Sequence, residues 1–151
     1  MGLFDKMTGT RYPGAHVAPR SAAEVRAALL AVNRPGVPYV VRDSTAKEGA
    51  DLVAVWRVEE LKLTLKIRMR IVPARREVRA LDEQWEAKNG ERSYGRGPAR
   101  TVSRQWTYER GPDGRRHKVE SFRFDSRDMK NPLQAAVLNA GWTWRGVLFK
   151  L

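Results

Sequence analysis

Residues 61–71 read Leu-Lys-Leu-Thr-Leu-Lys-Ile-Arg-Met-Arg-Ile, and this alternation decides the fold class. Leu61, Leu63, Leu65, Ile67, Met69 and Ile71 interleave with Lys62, Thr64, Lys66, Arg68 and Arg70. A strict period of two marks a strand with one buried face and one wet face. The wet face carries four cations and no acid. Like charges on alternate residues repel, so that face needs anions from neighbouring strands or from a ligand.

Working outward, DLVAVWRV (51–58) is apolar on both faces and predicts a strand covered on both sides. Glu59-Glu60 turns that strand into 61–71, and Pro73-Ala74 turns again into 77–86. The alternation of 77–86 slips between Ala80 and Leu81, which predicts a bulge. On the N-terminal side, Tyr39 to Val41 reads as a short strand and 44–50 as a polar loop. Residues 87–100, with three Gly and one Pro, read as the longest loop. Then comes a hairpin around Gly111-Pro112-Asp113-Gly114, in which Pro presets φ and Gly accepts the positive φ that closes the turn. A four-residue tip would set Tyr108 opposite His117 and Trp106 opposite Val119, an aromatic cross-strand cluster.

Two helices flank these strands. Ser21-Ala-Ala-Glu24 matches a capping box and predicts a helix over 22–33, stopped by Asn33-Arg34-Pro35-Gly36. Asn131-Pro132 opens a second helix over 131–140, with Gly141 as its natural terminator. Residues 142–151 either continue that helix or form a last strand. Residues 1–20 read as a flexible N-terminal arm, with one amphipathic turn in MGLFDKM. The expectation is a single α+β domain over 21–151. Its meander of about six antiparallel strands lies near 38–42, 51–58, 61–71, 76–86, 100–109 and 115–124. The meander packs on the C-terminal helix, and helix 22–33 caps an edge or end. A small barrel around a central C-terminal helix is the alternative.

Composition bounds the function classes. At 151 residues, 42% hydrophobic and with five Trp, the chain suits one globular core. No stretch reaches the roughly 18 apolar residues of a membrane span, and MGLFDKMTGT has no apolar leader. A soluble cytoplasmic protein is therefore expected. The absence of Cys excludes disulfides and thiolate chemistry. The net charge is +12, with 21 Arg against 8 Lys, a ratio that G+C-rich coding or phosphate recognition would each produce. The excess is even: 13 basic against 7 acidic groups in 1–75, and 16 against 10 in 76–151. That favours a basic surface or stripe over a basic tail, with nucleic acid or an acidic protein surface as the partner it suits.

The segments PYVVRDSTAKEGADLVAVWR (38–57) and FRFDSRDMKNPLQAAVLNAGWTWRGV (122–147) resemble those of a family of short bacterial proteins with no assigned function. The resemblance runs from about Ser21 onward and implies no activity, cofactor or functional residue. At fold level, the apolar helix led by Pro132-Leu133 is similar to that of tubby-like and scramblase-like proteins. There it threads a closed barrel, with more strands than this chain can supply.

Catalytic signatures are missing from the sequence, so no enzyme, cofactor or metal is expected. The two His, His16 and His117, are far apart, and His117 is expected to pack on Tyr108. GERSYGRG (90–97) lacks the G-K-[ST] ending of a phosphate loop, and Ser93 has no neighbouring base. Asp82, Glu83 and Glu86 surround Trp85; they serve either as acids with a raised pKa or as salt-bridge partners for nearby arginines. Asp125 and Asp128 read as first-turn helix charges.

Two surfaces remain as candidates. Lys62, Lys66, Arg68, Arg70, Arg75 and Arg76 form a basic set that could track phosphates, although no aromatics interleave with it; a solvated sheet face is the plain alternative. Trp56, Trp85, Trp106 and Trp144 could line an apolar pocket, or simply fill the core. The expected function is a non-enzymatic binding or interaction module. The alternative is a nucleic-acid-binding protein using the basic sheet face, and a carrier of a small apolar ligand comes third.

Overall fold

The alternating stretch becomes β3 (Leu63–Val72), with Leu63, Leu65, Ile67 and Met69 buried and Thr64, Lys66 and Arg68 half-buried on the opposite face. In the computed structural model, which describes residues 2–151, β3 is the middle of an antiparallel path. Beside it lie β2 (Leu52–Val58) and β4 (Glu77–Lys88), flanked in turn by β1 (Val40–Asp43) and β5 (Glu91–Arg96). A further strand, Thr143–Val147, runs parallel to the first half of β4. The fold is α+β, with a mostly antiparallel sheet of six strands, and the sheet is open rather than closed into a barrel.

Both hairpins around β3 close in the same way. A single 3-10 turn, Glu59–Leu61 or Pro73–Arg75, ends on a left-handed residue, Lys62 (φ 49°) or Arg76 (φ 48°). Lys62, Arg75 and Arg76 therefore belong to turns at opposite ends of β3, and only Lys66, Arg68 and Arg70 share its outer face.

The inner face of the sheet is covered by α2 (Ala22–Leu30) and α3 (Arg127–Asn139); α1 is the short N-terminal helix Leu3–Thr8. Val25 and Leu29 of α2 and Met129, Leu133 and Val137 of α3 join Leu52, Ile67 and Met69 in one core. The capping box forms as read, Ser21 Oγ accepting from Glu24 N–H and the Glu24 carboxylate accepting from Ser21 N–H. The helix ends at Leu30, earlier than expected. Asn33 is used elsewhere: its side-chain amide donates to the Val41 carbonyl (2.7 Å) and accepts from Val41 N–H (2.8 Å), as a strand neighbour of β1 would.

The slip at Ala80/Leu81 is not a bulge, because β3 and β4 pair without a break from Val72↔Glu77 to Leu63↔Glu86. Leu81 is fully buried on the outer face, in one row with Arg68 and the equally buried Val53. Over that row the 44–50 loop supplies the carbonyls of Glu48 and Gly49 as acceptors for Arg68 and Arg70. The two-faced apolarity of 51–58 is explained in the same way.

Two corrections and one settled alternative concern the C-terminal half. The 87–100 stretch is largely strand: Asn89 (φ 53°) and Gly90 (φ 78°) close a two-residue hairpin between β4 and β5. Asn-Gly is the commonest signal for such a turn. Helix α3 starts at Arg127, so Pro132 lies inside it rather than in its first turn. After α3, Gly141 (φ +75°) ends the helix, with its own N–H to Leu138 O and Trp142 N–H to Val137 O, a Schellman closure. The chain then enters β8, Thr143–Val147, which settles 142–151 in favour of a strand.

The expected fifth and sixth strands of the meander, β6 (Val102–Arg110) and β7 (Arg116–Asp125), pair only with each other and form a separate ribbon. The outer edge of β4 is already taken, by β8 along 77–81 and by β5 along 83–88. The N-terminal stretch is docked rather than free-standing. Arg11 exchanges backbone hydrogen bonds with Trp144 (2.8 and 2.9 Å), and Trp142 Nε1 donates to Arg20 O. Its Gly and Pro residues could not order it alone, and the edge of β8 supplies the partners.

Candidate functional site

On the outer face of the sheet, the run that is free of acids in sequence meets acids in space. Lys66 Nζ donates to Glu48 (2.7 Å), whose carboxylate also takes both terminal nitrogens of Arg42 (2.8 and 3.0 Å). The Arg42 guanidinium, with Lys66 and Thr45 adding to it, holds the Glu48 carboxyl well below the usual carboxylate range. Arg68 Nε donates to Glu83 (2.7 Å), which also accepts from the Tyr94 hydroxyl. Burial, and then that bond to Glu83, push the Tyr94 phenol up. Arg57, Lys62 and Arg92, none of them in an ion pair among the described residues, line a groove of about 510 Å³ beside the half-exposed Trp85.

The four tryptophans do not share a cavity. Trp144 is fully buried and Trp56 nearly so; both belong to the inner core, where Phe124 stacks edge-on against Trp56 at 4.7 Å. Trp85 lies on the outer face of the sheet against Tyr94, and Trp106 stands on the ribbon. The alternation of 61–71 marks which face of that strand is buried, but it does not say where other aromatics fall.

The ribbon is fixed only at its base. Phe124 enters the core, Asp125 takes Arg100 in a two-pronged ion pair (2.6 and 3.2 Å), and Ser126 bonds to Thr101. From Arg104 to Ser121 every residue except Gly111 is exposed. The tip spans residues 111–115, one more than expected, so Tyr108 faces Lys118, Trp106 faces Glu120, and His117 faces Glu109. His117 consequently bonds to Asp113 (2.9 Å) instead of packing on Tyr108. A bulge between Gln105 and Trp106 keeps the pairing in step, leaving Ser121 outside it. By that register one face carries Arg104, Trp106, Tyr108, Arg110, Arg116, Lys118 and Arg123, with Glu120 as its single acid beyond the base. Lys118 Nζ sits 4.8 Å over the Trp106 ring.

No family model matches the chain, and no curated protein or solved structure shows significant similarity to it. The reading of the surface therefore rests on its own chemistry.

A third cluster joins the sheet to α3. Asp82 of β4 meets Lys130 at 2.7 Å beside a cavity of about 90 Å³ that Gln84 and Ser126 also line. Burial pushes the Asp82 carboxyl up, against the opposing pull of Lys130. Of the three acids around Trp85, Asp82 and Glu83 are thus ion-paired, one to a helix lysine and one to a strand arginine. The same cluster ties sheet to helix, which is structural work.

The residues that sequence reasoning missed are those of the ribbon face. The signal was present in the alternation Arg104, Trp106, Tyr108, Arg110, which interleaves cations with aromatics on one side of a strand. It was masked because Trp106 reads by residue type as a core or pocket residue. No helix among the described residues is long and apolar enough to cross a membrane.

Proposed function

We propose that this protein is a non-enzymatic binding module that takes a polyanionic partner on the Trp106–Tyr108 face of its β6–β7 ribbon. One observation carries the reading. Arg104, Arg110, Arg116, Lys118 and Arg123 stand on one exposed face with no ion-pair partner among the described residues. A two-stranded ribbon gains little stability by itself. Unneutralised charge concentrated on it favours counterion release on contact with a polyanion. The test is retention on immobilised heparin. Arg104→Gln/Arg116→Gln/Arg123→Gln should elute at clearly lower salt than the wild type; co-elution of the two would refute the assignment to the ribbon.

A second reading places a nucleic acid on the outer face of the sheet, and the groove of Arg57, Lys62 and Arg92 beside Trp85 favours it. The pairing of Lys66 with Glu48 and of Arg68 with Glu83 weighs against the rest of that face. If this reading holds, Arg57→Gln/Arg92→Gln loses retention and the ribbon variant does not.

A further inference from the structure

The ribbon face is more than a patch of charge. Trp106 and Tyr108 are 45% and 69% exposed, and they stand two residues apart on the same side as the five cations. An exposed indole and phenol add nothing to the attraction of a plain polyanion such as heparin, which has no aromatic surface to offer. A nucleic acid has one in every base, and base–aromatic stacking combined with a basic track is how unpaired strands are held without regard to sequence. Spacing points to the unpaired form. Side chains two residues apart on one strand face are about 7 Å apart. Stacked bases on one strand of a duplex rise by only about 3.4 Å. Neighbouring bases laid on Trp106 and Tyr108 must therefore be drawn apart from each other, and a base pair still inside a duplex offers neither face.

We propose that the Trp106–Tyr108 side of the β6–β7 ribbon binds single-stranded nucleic acid, the two rings stacking bases while flanking cations meet the phosphates. Lys118 stands opposite Tyr108 with its Nζ over the Trp106 ring, so a base stacking there takes the place of that Nζ and frees it for a phosphate between the two stacked bases. Arg110 and Arg116 pair across the tip end, and Arg104 and Arg123 pair across the base end. The strand thus meets cations before, between and after its stacked bases. The opposite face carries Thr107, Glu109, His117 and Val119 and offers no such track. The inference rests on the polyanion reading of the same face, and it names the partner.

The experiment measures binding of the whole chain to three probes: a labelled oligothymidylate of about 15 nucleotides, within the span of known single-strand sites, a duplex of the same length, and heparin. The oligothymidylate should bind more tightly than the duplex. Trp106→Ala/Tyr108→Ala should weaken it at least tenfold and leave heparin within about twofold, because each stacked base contributes about tenfold or more. Trp106→Phe/Tyr108→Phe should restore most of the loss. Arg104→Gln/Arg116→Gln/Arg123→Gln should weaken both single strand and heparin, and should reduce the single-strand salt slope by about two, at about 0.7 per phosphate. Tighter binding to duplex, or oligothymidylate binding indifferent to loss of both rings, would overturn the single-strand inference while leaving the polyanion reading intact. Failure to bind any of the three probes would remove both. The exposed positions of all three variants keep folding out of the comparison, and unchanged melting temperatures check this.

Discussion

Glu48 accepts hydrogen bonds from Lys66 and from Arg42, and so neutralises the outer face of β3 from a loop eighteen residues upstream. Its side chain is only 12% exposed, so the bonds are charge-assisted and poorly screened. Glu48→Gln keeps the shape but can hold neither cation as an ion. The expected loss is about 1–3 kcal/mol at neutral pH by denaturant melts. The folded carboxyl is depressed, so its contribution is fully present above its unfolded value near 4.5 and is lost as pH falls below it. The gap between wild type and variant should therefore narrow from pH 7 to pH 3. An equal gap at both would mean that the loss in the variant does not come from the ionised carboxylate.

Much of the sheet was legible because β3 alternates without interruption, and its neighbours differ from it only where a second cover exists. Val53 and Leu81 broke the pattern for a reason that no local rule contains: the 44–50 loop, next to Val53 in sequence but far from Leu81, folds back over both. The strand β8 was legible as one of two options, and Gly141 decided it. The ribbon was misplaced because alternation reports which residues share a face, not whether another layer ever covers that face. Trp106 looked like core by residue type, and only the competition of β5 and β8 for the edge of β4 excludes its strand from the main sheet. The basic set failed as a single row for a simpler reason: Lys62 and Arg76 are the left-handed residues of two turns.

The base of the ribbon should respond to acid through Asp125. The Arg100 guanidinium, helped by the Arg127 N–H, holds its carboxyl down to about 2. A depressed carboxyl stabilises above its unfolded value, near 3.8, and the contribution fades as pH falls from about 4 to about 2. Arg100→Gln should let the Asp125 carboxyl titrate closer to its ordinary value. Because Arg100 is half-exposed, solvent screens the pair, and the stability lost above pH 4 should be small. Carbon-detected NMR titration of Asp125 reads this directly; an unmoved midpoint in the variant would assign the depression to the backbone donor instead.

Gly146 is where the N-terminal segment crosses β8. A Cβ there would fall 1.7 Å from the Thr8 carbonyl oxygen, and backbone cannot yield as a side-chain tip can. Gly146→Ala should therefore displace residues 8–12, breaking the bond from Gly146 N–H to Thr10 Oγ1 and the bridge from Arg11 to Trp144. A cost on the order of 1–3 kcal/mol is expected, as for overpacking generally. Tryptic cleavage after Arg11 should speed up well before the body of the fold opens. Unchanged protection of Arg11 in the variant would contradict the docking.

The pairing of Asp82 with Lys130 should reveal itself as a pH dependence that appears only when the lysine is removed. Each side chain is less than a fifth exposed, and their 2.7 Å contact is the one ion pair between β4 and α3 among the described residues. Breaking such a pair from one side leaves a charge with no partner and costs about 3 kcal/mol. In Lys130→Met the only opposing influence on Asp82 is gone, and burial raises its carboxyl further. A raised carboxyl favours the folded state below its unfolded value, and that advantage is lost as pH climbs through the folded one. The deficit of Lys130→Met relative to wild type should thus be small near pH 4 and grow towards pH 8. Asp82→Asn/Lys130→Met carries no charge to strand, and it should recover much of the loss and respond flatly to pH. Chemical denaturation of the four proteins of this cycle at both pH values gives the coupling. Additive single-mutant losses, with no pH dependence in Lys130→Met, would show that the two groups act independently and that water reaches Asp82.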